Sequence, residues 1–214
     1  MARRQDERTL REAIVVTARA MNAAGINRGN AGNVSARNAD GFLITAAALP
    51  YHAMTVEDVV AMTFDGETRG NREPSSEWRF HRDIYRARPD LNAIVHAHAP
   101  FATSLACLDR GIPPFHYMVA LAGGYDIRCA PYATFGSDDL ARHVVAALDG
   151  RKACLMSHHG MVAADATLDA ALALAVEVET LAEMYWRALQ IGEPALLSAD
   201  EIGVVLAKFS TYGR

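Results

Sequence analysis

Val34-Ser35-Ala36-Arg37-Asn38-Ala39-Asp40-Gly41-Phe42-Leu43-Ile44-Thr45 is the stretch whose reading decides the fold. Val34-Ser35-Ala36-Arg37 and Phe42-Leu43-Ile44-Thr45 flank Asp40-Gly41, a dipeptide that closes antiparallel strands because glycine accepts φ > 0. A second hairpin is predicted where Val59 to Phe64 runs into a turn at Asp65-Gly66. Upstream, Leu10, Ile14, Val15 and Ala18 repeat with a helical period, which predicts a helix from about Asp6 to Met21 with its stop at Gly25. Between helix and hairpin lies a glycine-rich turn, Gly29-Asn30-Ala31-Gly32-Asn33.

Downstream, Ser75-Ser76-Glu77 opens a helix that Arg88-Pro89-Asp90 closes, Ala93 to His98 reads as a strand, and Pro100 starts a helix at a position proline tolerates. A helix over Asp138 to Leu148 precedes a strand, Ala153 to Met156, that leads into His158-His159-Gly160. A long helix follows from about Leu168 to Leu189, and Ser198 to Glu201 forms a capping box for the last one. Hairpins interleaved with helices, without linker or repeat, predict one domain over 1–214. Its expected class is α/β (α+β), a three-layer α/β/α sandwich with a largely antiparallel central sheet.

The 214 residues are 51% hydrophobic and 21% charged, enough for a sizeable core and against disorder. A net charge of −4 gives no basic face for nucleic acid. Arg3, Arg4, Arg8 and Arg11 are offset by Asp6, Glu7 and Glu12, as on a solvated helix face. No apolar run reaches the roughly 18 residues that cross a bilayer, and no signal-type segment follows the N-terminal arginines. Cys107, Cys129 and Cys154 are odd in number and unpaired in spacing, as expected of free thiols in the cytoplasm.

The chemistry begins at Ile94-Val95-His96-Ala97-His98. Side chains alternate along a strand, so both histidines face one side, about 6–7 Å apart at Cα, and can grip one cation. The same spacing also suits two polar residues on an exposed strand face. A third ligand is available in His158-His159-Gly160, where spacing does not choose between the histidines and the glycine permits a sharp turn. Glu77 stands at a helix front behind Ser75 and Ser76, where free N–H groups favour an anion. The turn at Gly32 and Asn33 can cradle a phosphate in the same way. His52, His81, His116 and His143 have no partner in the sequence and read as surface or structural residues.

The chain resembles the class II aldolase/adducin family. The matching stretches include Ala31-Gly32-Asn33-Val34-Ser35, Pro74 through His81, Val95-His96-Ala97-His98-Ala99, His116-Tyr117-Met118, Cys129 through Gly136, His158-His159-Gly160 and Lys208 through Gly213, in order over nearly the whole chain. The resemblance implies reversible cleavage of a ketose 1-phosphate, such as L-fuculose 1-phosphate, to dihydroxyacetone phosphate and a short aldehyde through a metal-stabilised enediolate. It implies Zn²⁺, or another divalent metal, on His96, His98 and His159, with Glu77 as acid/base that also approaches the metal. Tyr117 would serve the aldehyde oxygen, and Gly32, Asn33, Ser75 and Ser76 the phosphate. A homotetramer with sites at subunit boundaries is implied, Phe209 and Tyr212 approaching a neighbour's site.

One departure stands out. Aldolases of this type read Thr-Pro-Thr-Gly or Thr-Pro-Ser-Gly where this chain has Thr45-Ala46-Ala47-Ala48, which alters half of the implied phosphate cup. An unphosphorylated ketone donor, a decarboxylase or a 4-epimerase on the same scaffold are the rival readings. Glu77 argues against the epimerase, whose members carry aspartate there. A non-catalytic adducin-like interaction domain would be expected to have lost the ligands.

Overall fold

Strand β1 (Asn33–Arg37) pairs antiparallel with β2 (Gly41–Ile44) as the hairpin pattern requires, in a computed structural model that describes residues 7–211. The tip differs from expectation by one residue. Asn38 N–H donates to the Gly41 carbonyl and Asp40 N–H to Asn38 Oδ1, so Ala39-Asp40 turns the chain. Gly41 belongs to the strand, where any Cβ would collide with the Met62 carbonyl of the next strand. That strand, β3 (Val60–Thr63), carries a short β4 (Thr68–Arg69) beyond it.

On the other side of β1 come β5 (Ala93–Ala97), β8 (Gly160–Asp165), β7 (Ala153–Met156) and β6 (Cys129–Ala130). Only the β6–β7 pair is parallel, so the sheet is largely antiparallel. Both faces are covered, which makes three layers. Val34, Leu43, Val95, Leu155 and Met161 face α1 (Glu7–Ala23), α3 (Pro100–Ala106) and α5 (Leu168–Leu189) in one apolar core. Phe42, Ile44, Met62, Ile94, Cys154 and Val162 face α2 (Trp78–Ala87) and α4 (Asp138–Ala147) in the other. Helix α1 buries Leu10, Ile14, Val15, Ala18 and Met21 and ends before Gly25 at φ 77°. Its outer face carries the Arg8–Glu12 and Arg11–Glu7 pairs; Arg3, Arg4 and Asp6 lie outside the described residues. Helix α6 (Ala199–Phe209) is capped by Ser198 Oγ, which accepts the Glu201 N–H. No helix among the described residues is long and apolar enough to cross a membrane.

Residue parity now places the chemistry. Ile94 belongs to the α2 side, so His96 does too, and with it Asn33 and Ser35 of the neighbouring strand. Helix α3, which follows His98 directly, is too short to stand alone. Glu179 of α5 holds its start by accepting the N–H groups of Phe101 and Ala102, both at 2.8 Å. Replacing Glu179 with Ala is expected to destabilise the fold by about 1–2 kcal/mol, the scale of a lost helix cap, with Glu179→Gln losing less. Urea midpoints at equal m-value would check this.

Candidate metal centre

Glu77, His96, His98 and His159 converge on one point, their ligand atoms all within 4.8 Å of one another. Each arrives from a different structural necessity. His96 sits in the middle of the sheet with no exposed surface, so the exposed-face reading of the H-x-H pair does not hold. Its Nδ1–H donates to the Met161 carbonyl at 2.8 Å, which leaves the Nε2 lone pair facing the cluster. His98 lies just past the end of β5, its N–H held by Asn27 Oδ1 at 3.4 Å. Glu77 is the N-cap of α2, and Ser75 and Ser76 precede the helix rather than lying within it.

His159 is selected over His158 by backbone geometry. His158 takes φ 53° with its N–H on the Ala106 carbonyl, and its ring turns outward against Tyr132, 6.0 Å between centroids. His159 turns inward, 4.9 Å from the His96 ring and 5.0 Å from the His98 ring. The left-handed residue is thus His158, not the glycine. Gly160 is needed for space, since a Cβ there would stand 2.6 Å from the Ala97 carbonyl. Gly32 has a parallel reason, packing its α-carbon against the His96 carbonyl.

Glu77 Oε2 lies 2.9 Å from His96 Nε2, and Oε1 lies 3.1 Å from His159 Nε2. These are not well-aligned hydrogen bonds: Glu77 Oε1, His96 Nε2 and His98 Nε2 are buried atoms without any partner. Atoms that point past one another at such distances fit ligands of a shared cation, because bonds of about 2.0–2.1 Å in a tetrahedron separate ligands by roughly 3.3 Å. Electrostatics agree. Burial opposes ionisation of Glu77, but His96 and His159 outweigh it and hold the carboxyl far below its usual range. Burial, then His96 and His159, push His98 down to about 4, so three protons cannot share this site. A dication satisfies all four groups at once.

A sequence model of the class II aldolase and adducin N-terminal domain matches residues 12–186. The 5-methylthioribulose-1-phosphate/5-deoxyribulose-1-phosphate aldolase of Rhodospirillum rubrum is 58% identical, covering 95% of this chain and 92% of its own. The L-fuculose phosphate aldolase of Escherichia coli is 50% identical, covering 94% of each. Among solved structures, an L-fuculose 1-phosphate aldolase superposes with a TM-score of 0.92 at 35% identity, covering 94% of this chain and 96% of its own.

The chain belongs to the class II aldolase and adducin family. It is an enzyme of the class II, metal-dependent aldehyde-lyase type.

The residues expected of a family member fall into three groups. Glu77, His96, His98 and His159 come together, with Ser76 on the same pocket wall. Asn33 joins them by its side chain, which donates to Glu77 Oε2 at 3.1 Å. Buried Ser75 accepts the Glu77 N–H at 3.4 Å. Tyr117 and Phe209 do not line this pocket within the chain. Their rings lie beside each other, tilted by 35° with centroids 6.3 Å apart, Tyr117 being 48% exposed, and Tyr212 lies outside the described residues.

Sequence reasoning missed the residues behind the site. His81 is wholly buried and bonded through both ring nitrogens, to Ser35 Oγ at 2.6 Å and Asn33 Oδ1 at 2.5 Å. Its spacing of one helical turn from Glu77 was the available signal. Asn27, buried beside Gly32 and His98, gave none. Burial, followed by the charge of His96, lowers His81 from 6.5 to about 3. The unfolded chain therefore binds a proton between these values that the folded one refuses. Stability contributed by neutral His81 is full above about pH 7 and is lost as pH falls toward 3, on the order of 5 kcal/mol in all. Denaturant unfolding of metal-free protein at stepped pH is expected to show this slope, and His81→Gln to lessen it, His98 supplying what remains.

Proposed function

We propose that this chain cleaves a ketose 1-phosphate, reversibly, to dihydroxyacetone phosphate and a short aldehyde. The observation that carries the reading is a buried carboxylate grouped with three imidazoles at an open pocket of about 270 Å³. His96, His98 and His159 would hold the cation with Glu77 close by, and zinc suits a site of three histidines, other divalent ions being the alternative. When bound, the ion supplies Lewis acidity to a carbonyl oxygen. Glu77 takes the proton from, and returns it to, the three-carbon fragment left by C–C cleavage. Gly32, Asn33, Ser75 and Ser76 line the phosphate end. Tyr117, exposed on its own subunit, reaches the aldehyde end of a neighbouring copy in a homotetramer, together with Phe209 and Tyr212. Residues 1–214 act as one domain, and the enzyme works in the cytoplasm.

L-Fuculose 1-phosphate is the first substrate to try. A second reading has specific support. Tyr132 and Phe135, 60% and 66% exposed, wall the pocket beside His98 and Ala133, and such walls suit an aldehyde ending in an apolar group. Retro-aldol cleavage of a 5-deoxypentulose 1-phosphate or its thioether releases that kind of aldehyde. The 58% identical relative bears the corresponding name.

The test is coupled detection of dihydroxyacetone phosphate from metal-loaded protein offered both phosphates and free ketoses. Wild type is expected to release it, and Glu77→Gln to fall at least about 100-fold, the scale of general acid–base catalysis. Release of carbon dioxide or an epimer instead would move the protein to the decarboxylase or 4-epimerase reading. Cleavage of free ketoses alone would show an unphosphorylated donor, and a subunit free of metal would favour the adducin-like role. Elemental analysis should also find metal lost from His159→Ala and retained by His158→Ala.

The phosphate loop gives a further expectation. Ala48 holds φ 55°, the left-handed region where glycine is at ease, and Ala47 beside it offers no hydroxyl. Restoring Ala47→Thr with Ala48→Gly is expected to lower KM for the phosphorylated ketose about 10-fold, one charge-assisted bond's worth, in steady-state kinetics.

A further inference from the structure

We propose that His81 is a positioning residue for Glu77, acting through the side-chain amide of Asn33; the inference rests on the reading of Glu77 as the group that shuttles the proton. Five buried polar side chains form one line from the back of α2 to the metal centre. Tyr85 OH lies 2.8 Å from Ser35 Oγ, Ser35 Oγ lies 2.6 Å from His81 Nδ1, and His81 Nε2 lies 2.5 Å from Asn33 Oδ1. Asn33 Nδ2 ends the line at Glu77 Oε2, 3.1 Å away. None of these residues touches solvent appreciably.

The direction of the line is set by its last member. An ionised carboxylate only accepts, so Asn33 must present its NH₂ to Glu77 and its carbonyl to His81. The carbonyl then requires a proton on His81 Nε2, which leaves Nδ1 as acceptor for the Ser35 hydroxyl, and Ser35 in turn accepts from Tyr85. Reversing the amide would set a carbonyl oxygen against the carboxylate. The imidazole cannot swing out of line, because it stacks on Phe80 at 4.5 Å with 21° between planes. Every donor therefore points toward Glu77, and the amide that meets it has one orientation. A carboxylate that must both stay near a cation and reach a substrate proton gains a fixed pivot from this arrangement.

His81→Gln and His81→Asn separate this role from general packing. Glutamine places its amide nitrogen near Nε2 and keeps the donor to Asn33, whereas asparagine reaches only the Ser35 side. We expect kcat within about 3-fold of wild type for His81→Gln and about 10–100-fold lower for His81→Asn, the range found for groups that orient metal-site ligands. Metal content should stay unchanged in both, and KM unchanged in His81→Gln. Cobalt(II) substituted for the native ion gives a second readout, since its visible absorption follows the ligand set. The spectrum of the substrate-free enzyme should shift in His81→Asn and not in His81→Gln.

Equal losses in the two variants, or a loss confined to KM or metal content, would overturn the proposal. Should His81→Asn not fold, Ser35→Ala probes the same line from behind, and an unchanged kcat and cobalt spectrum there would overturn it too. If wild type cleaves no ketose phosphate, the functional reading fails by itself, while the cobalt spectra still report whether His81 places Glu77.

Discussion

A carboxylate buried against three imidazoles is tolerable only when a positive charge is held among them, and the rest of the molecule is arranged around that demand. Removing an ion from water costs several kcal/mol even after relaxation, so Glu77 at 5% exposure needs compensation on every side. Protons cannot supply it on all three imidazoles at once, because burial and then the charges of His96 and His159 push His98 down. A dication is the economical solution. Its ligands come from α2, from β5 and its end, and from the β7–β8 turn, so the site ties one helical layer to the middle of the sheet.

That placement explains why backbone contacts around the centre are so close. Gly32 and Gly160 both pack against carbonyls of β5, the strand that carries His96 and leads into His98, and neither position has room for a Cβ. The sheet thereby brings β8 near enough for Met161 to fix the His96 tautomer. His158 pays the conformational cost in the opposite way, adopting a left-handed backbone so that the next residue turns inward.

Much of this was legible in the sequence, for reasons that differ by residue. The hairpins, the capped helices and the three-layer arrangement follow from periodicity and turn chemistry. The pairing of His96 with His98 follows from strand alternation alone. What could not be read locally is any relation set by tertiary register. Nothing in the order of residues says that Ser35 lies opposite Ile44 and Ile94, or that this puts His81 between Ser35 and Asn33. The hairpin tip moved one residue because Gly41 was reserved for close approach to β3, a contact between strands distant from the turn signal. His159 could be told from His158 only by the resemblance, and then by the backbone.

The division between what is rigid and what is variable also follows from position. Glu77, His96 and the line behind them sit in buried strands and a helix start, with half-buried His98 and His159 at the adjoining strand ends, where a change of one group disturbs several others. The groups that would recognise phosphate and aldehyde lie on loops and exposed turns: Ala47 and Ala48 beyond β2, Tyr132 and Phe135 after β6, Tyr117 and Phe209 at the surface. Relatives named for different sugar phosphates share 58% and 50% of their residues with this chain. A core that fixes the bond-breaking chemistry and a rim free to vary would let such enzymes diverge in substrate without rebuilding the centre. Ala47 and Ala48 are the rim positions at which this chain departs from the Thr-Pro-Thr-Gly pattern.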